Sequence, residues 1–250
     1  MYLFGHLQGH TQQRAIHRYI ATHWGAWFPA LPSYQACNRR WNQLVPAFEL
    51  ALTMWLTPAQ GTVAAGADRL LDSVPIMLAH GVRARRARVA ADQSSIGFCA
   101  TKQQYYYGVK LHLLAVRRAG HLPLPAQFWL APAAQHDVAV ARQGSYLLPP
   151  QVGVFADKAY DDATLAQQLW AQGNYLVASY KQRRNDPPAA VPTLYNRFVS
   201  HIRQPIESFF GWLIRTTKLQ DAAHVRSSQG LLLHCYGKLA VACLLLIFYS

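Results

Sequence analysis

The chain has 250 residues, enough for one large domain or a core domain with a small companion. A composition that is 52% hydrophobic and 14% charged excludes a disordered chain. With 24 Lys and Arg against 11 Asp and Glu the formal charge is +13, an excess that points to a polyanionic partner, nucleic acid first.

Four scattered cysteines, Cys37, Cys99, Cys235 and Cys243, form no CxxC pair and no Cys/His set at zinc spacing. They read as free buried thiols of a reducing, cytoplasmic compartment. The 11 histidines hold no HExxH pattern, which argues against a zinc enzyme. Residues 1–4 lack the basic start of a secretory signal. Residues 231–249 approach the length of a bilayer span. His234 and Lys238 fall inside that run, and a central Lys costs about 2.5–3.5 kcal/mol on insertion scales. The run therefore reads as a core helix, with no membrane partner.

In chain order, residues 1–60 read as helical, broken at 27–32 by two prolines. Ser33 is placed to cap a helix through Leu44 that carries Arg39 and Arg40. Pro46 permits a turn into a third helix. Short helices with a basic second member suit a helix-turn-helix DNA reader, and many plain helical subdomains look the same. Residues 60–66 mark a boundary. Residues 68–76 come next as a strand with Asp72 among leucines, and Pro75 should confine that strand to an edge or end it early. An acid in such apolar company is costly to bury unless paired or bound to a cation. Arg83, Arg85, Arg86 and Arg88 make a dense basic run, a phosphate-contact loop or a solvated charged face.

Residues 104–116 read as a long strand whose alternation sets Lys110, His112 and Leu114 on one face. A turn at 117–121 and a second strand at 124–130 complete a hairpin. His136 and Asp137 open a helix through about residue 148. Residues 152–156 form a short buried strand that delivers Asp157 at its carboxyl end, where reaction sites of open α/β sheets lie. Asp157 could cap the succeeding helix, but Asp161 or Asp162 would do that better. A helix at 163–172, a strand at 175–180 and a basic cluster with Lys181, Arg183 and Arg184 come next. The last amphipathic helix is expected to begin near Arg203 or Gln204, because Pro205 fits only its first turn. Glu207 would then sit at a helix start, where the macrodipole favours an acid.

The stretches Phe28-Pro29-Ala30-Leu31-Pro32-Ser33-Tyr34, Leu71-Asp72-Ser73-Val74-Pro75, Tyr107-Gly108-Val109-Lys110-Leu111-His112, His136-Asp137, Asp157-Lys158-Ala159-Tyr160 and Arg203-Gln204-Pro205-Ile206-Glu207 occur in this order along nearly the whole chain. Together they resemble the DDE transposases of bacterial insertion sequences, nearest the insertion-sequence 982-type branch. The resemblance implies an α/β, RNase H-like fold, a mixed five-stranded sheet flanked by helices with a small N-terminal helical region. Residues 1–60 would be a shortened DNA-end-binding module and 61–250 the catalytic domain. It implies Asp72, Asp157 and Glu207 as catalytic, metal-binding acids for Mg²⁺ or Mn²⁺, two ions in all. Ala156 stands where the family usually has Gly.

The expected activity is metal-dependent cleavage and strand transfer of DNA at the element's inverted-repeat ends. Expected partners are those ends and target DNA, with a homodimer on DNA. Lys110, His112, Lys158 and Arg203 are secondary candidates for phosphate contact or for orienting the acids. The rival readings are a cellular nuclease on the same fold and a transposase-derived DNA-binding protein that no longer cuts.

Overall fold

A computed structural model describes residues 1–61, 66–180 and 191–248. Four helices lead: α1 (Tyr2–Leu7), α2 (Gln13–His23), α3 (Tyr34–Gln43) and α4 (Val45–Gly61). Ser33 caps α3, its hydroxyl accepting from the Ala36 amide. Pro46 falls in the first turn of α4, where its missing N–H has no helical acceptor to lose. Six strands succeed them: β1 (Arg69–His80), β2 (Ser95–Cys99), β3 (Gln104–Val116), β4 (Leu124–Pro132), β5 (Gly153–Ala156) and β6 (Tyr175–Ala178). Helices α5 (Asp137–Gln143), α6 (Ala163–Ala171), α7 (Val191–Thr217) and α8 (Ser228–Phe248) complete the chain.

The sheet is mixed, with flanking helices, as an RNase H-like α/β fold requires. It has six strands in five positions. β3 pairs antiparallel with β1 along one edge, and its other edge is shared end to end by β2, on residues 104–108, and β4, on residues 109–116. β5 and β6 extend the far side in parallel. The extra strand β2 comes after the arginine-rich segment and leaves little trace in the sequence, since its five residues include an internal glycine.

Three expectations are corrected. Pro75 neither ends β1 nor confines it to an edge, for β1 is central and continues to His80. Pairing with β5 stops at Leu71, so the side of β1 facing away from β3 is already open at Pro75. Met77, two residues on, sends its amide to that side, to the Gln220 carbonyl at 2.9 Å. Pro75 therefore lacks an N–H where no strand asks for one. The helix after His136 ends at Gln143, with Gly144 next in extended backbone. Most consequentially, α7 starts at Val191, and Pro205 lies inside it. A mid-helix proline forfeits one hydrogen bond, but the face that buries Val199, Ile206, Phe209 and Leu213 holds the helix together. Glu207 is thus a mid-helix residue, and the macrodipole argument for it lapses.

The main core joins α1–α4, α7, α8 and one face of the sheet, while a smaller cluster fills the other face beneath α5 and α6. Helix α8 is long and apolar enough to cross a membrane, yet 67% of its most apolar window is buried against the rest of the protein. His234 and Lys238, one turn apart on α8, hold the Leu219 and Lys218 carbonyls at 2.7 and 3.0 Å and so tie down the end of α7. All four cysteines are free and buried.

Close backbone approach explains Gly108 on β3. A Cβ there would lie 2.1 Å from the Ile76 carbonyl oxygen of the paired strand, which cannot turn aside. Gly108→Ala is expected to cost at least the roughly 1–3 kcal/mol of overpacking. The measurement is the urea midpoint, which should fall with the slope unchanged.

Candidate active site

Register brings the two aspartates together. On the parallel pair β1–β5, Leu70 lies opposite Phe155 and Leu71 opposite Ala156. The next residues of each strand are Asp72 and Asp157. Side chains alternate between faces, and register partners share a face. Leu71 and Ala156 belong to the cluster under α5 and α6, whereas Leu70 and Phe155 belong to the core under α7. Asp72 and Asp157, one position further, point to the α7 side.

What meets them there is Arg203 of α7. One guanidinium nitrogen, Nη2, donates to Asp72 Oδ2 at 3.0 Å, and Nη1 lies 3.7 Å from Asp157 Oδ1. The Arg203 side chain is only 7% exposed, Asp72 is 21% and Asp157 42%, so the pair opens to solvent on the Asp157 side. Asp72 Oδ1 also accepts from the Ser73 amide at 2.8 Å, and Asp157 Oδ1 from the Lys158 amide at 2.6 Å. Capping of α6 falls to Asp162, which accepts from the Leu165 amide at 2.9 Å. Asp157 is free of that duty and caps only the short turn at Lys158–Tyr160.

Burial pushes the Asp72 carboxyl up to about 6, against the opposing pull of Arg203 and the Ser73 amide, and Asp157 and Asp137 add to the rise. Carboxylate oxygens are the donor type that a small divalent ion such as Mg²⁺ takes, and Asp72 and Asp157 offer two such groups at a sheet edge. Glu207 does not join them. It lies one helical turn beyond Arg203 and is exposed, and among the described residues no three His, Cys, Asp or Glu side chains are gathered to hold a metal.

The secondary candidates separate. His112 is fully buried, stacked on Trp129 with ring centroids 5.9 Å apart, and neither ring nitrogen has a hydrogen-bond partner. Burial pulls it down to about 4, so it is neutral and out of reach of a phosphate, which corrects its reading as a DNA contact. Lys110 is committed to Asp137 at 2.8 Å and to the Gln135 carbonyl at 2.9 Å. Arg203 contacts both acids. Lys158, Arg39, Arg40, Arg83, Arg85, Arg86 and Arg88 are exposed. Lys181, Arg183 and Arg184 lie outside the described residues. Sequence alone marks Asp137 only as a helix start, although the Lys110/His112 face of β3 is a sign that an acid is needed opposite it.

A carboxyl raised by burial favours the folded state fully below its unfolded value of 3.8, and that favour is lost as pH rises through about 6. Metal-free protein is expected to gain stability as pH falls from neutral through about 6, and Asp72→Asn should remove that portion of the gain. Denaturation midpoints of the two proteins across this window are the check.

The comparisons with known proteins reach the level of family. No curated protein and no solved structure matches the chain. A family model described as a transposase DDE domain matches residues 64–227, a span that holds all six strands, both aspartates, Arg203 and Glu207. The chain belongs to the transposase DDE-domain family.

Proposed function

We propose that this protein is the transposase of a bacterial insertion sequence of the 982-type branch, cutting and joining DNA at the element's inverted-repeat ends. The observation that carries the reading is the convergence of Asp72 and Asp157 on Arg203, from positions 85 and 131 residues apart in sequence from Asp72. Asp72 and Asp157 would hold Mg²⁺ or Mn²⁺, as two ions, and Glu207 would complete the donor set on the DNA complex. Such ions, bound through a few carboxylates and the substrate phosphates, supply charge stabilisation for in-line phosphoryl transfer. Arg203 keeps the two aspartates facing one point and offsets their mutual repulsion. Its neighbour Glu207, four residues on, shares its side of α7.

The exposed arginines at 83, 85, 86 and 88 give the sequence-independent affinity for the DNA backbone. Arg39 and Arg40 on α3 support residues 1–60 as the end-binding part, with 61–250 as the catalytic part. The protein works in the cytoplasm on nucleoid DNA, as a homodimer that joins two ends. One rival has a specific observation in its favour: Glu207 stands apart from the aspartates, as in a DNA-binding descendant that no longer cuts.

Nicking of a duplex bearing the flanking inverted repeats, with and without Mg²⁺, separates these readings. Wild type is expected to nick only with metal, and Asp157→Asn and Glu207→Gln are each expected to drop to background. Equal nicking by wild type and Asp157→Asn would overturn the mechanism, and binding without nicking by wild type would establish the non-cutting descendant. Nicking that ignores the repeats would mark a cellular nuclease. Replacing Arg83, Arg85, Arg86 and Arg88 by Gln should flatten the slope of log K against log salt by about 0.9 for each phosphate no longer neutralised. Filter binding over a salt series reads that slope.

A further inference from the structure

Apart from the acidic pair, α8 faces the N-terminal helices across a cavity of about 290 Å³. Arg14 of α2, Arg226 of the loop before α8 and Lys238 of α8 line it, and among the described residues no Asp or Glu does. Lys238 is only 2% exposed, and its ammonium donates one hydrogen bond, to the Lys218 carbonyl, of the three it can make. Asp221 acts on Lys238 electrostatically but is not part of the lining. Burial pulls Lys238 down to about 8, so it keeps its charge at neutral pH. A buried cation satisfied by a single carbonyl is short of an anion.

The same lining holds two acceptors with no donor. Asn38 Oδ1 and Asn42 Oδ1 are buried and unpartnered, and the Asn42 amide nitrogen is already spent on the Asn38 carbonyl at 2.8 Å. Tyr34, also in the lining, packs beneath the Arg14 guanidinium, 5.9 Å from the ring centroid. Cations that want an anion and acceptors that want N–H donors occur together. A nucleotide carries both complements: a phosphate and base N–H groups.

We propose that this cavity is a nucleotide-binding site, distinct from the acidic pair, that seats one nucleotide unit with its phosphate on Arg14, Arg226 and Lys238. Its volume lies at the small end of the roughly 300–1,000 Å³ typical of ligand sites, which suits a single unit. The recognised chemistry is a phosphate joined to a base, whether the unit belongs to a DNA strand or is free. The site stands whether or not the protein cuts DNA.

The test is calorimetric titration of the full chain with inorganic phosphate, deoxycytidine 5′-monophosphate, and short single strands with and without a 5′-phosphate, against chloride at matched ionic strength. Saturable binding of the mononucleotide is expected, weakened about tenfold by Arg14→Gln and by Lys238→Met, as removal of one charge-assisted hydrogen bond implies. Asp157→Asn should bind it as wild type does, which separates this site from the cleavage reading. Preference for the phosphorylated strand identifies DNA as the source, and binding of the mononucleotide alone identifies a free nucleotide. Absence of saturable binding by every phosphate-bearing probe, or equal binding in wild type and Arg14→Gln, overturns the proposal. Arg14 is exposed, so that variant decides the matter even if Lys238→Met fails to fold.

Discussion

The contact of one guanidinium with two carboxylates, Arg203 with Asp72 and Asp157, is the constraint around which the sheet and α7 are arranged. Two acids side by side on neighbouring strands repel, and Asp72 is further disfavoured by its apolar surroundings. Arg203 is the buried member, and its charge would be left without compensation if the acids were removed. The position of α7 over β1 and β5 is therefore set electrostatically as well as by the packing of Ile206, Phe209 and Leu213.

That contact depends on several levels agreeing. Parallel pairing of β1 with β5 sets the aspartates in register, and alternation turns both toward α7. α7 in turn must remain helical through Pro205 for Arg203 and the buried aromatic residues after it to act as one face. The 3.0 and 3.7 Å distances put the stronger bond on the more buried acid, where an uncompensated charge would be costliest.

The hairpin β3–β4, the short strand ending in Asp157 and the helix capped by Asp162 are all legible in the sequence, because alternation, turn residues and caps are local signals. The site is half legible. The apolar run into Asp157 and the apolar company of Asp72 mark both acids, but the strand pairing that joins them is a tertiary fact. Pro75 and Pro205 mislead for one reason: a proline's local cost looks decisive in sequence, whereas an open strand edge and a long buried face make each tolerable. Strand β2 escapes notice because its five residues carry a glycine and sit behind a run of arginines. His112 is easily misjudged because alternation tells which residues share a face but not whether that face is wet.

The place where β5 stops has a consequence of its own. Beyond Leu71 and Ala156 the ladder between the two parallel strands ends: β1 runs on to His80 while the chain after β5 turns at Lys158–Tyr160, with an acid where they part. A guest entering between the two acids meets no paired residues of β1 and β5. Such a guest competes with the two contacts of Arg203, which are side-chain contacts and not part of the ladder.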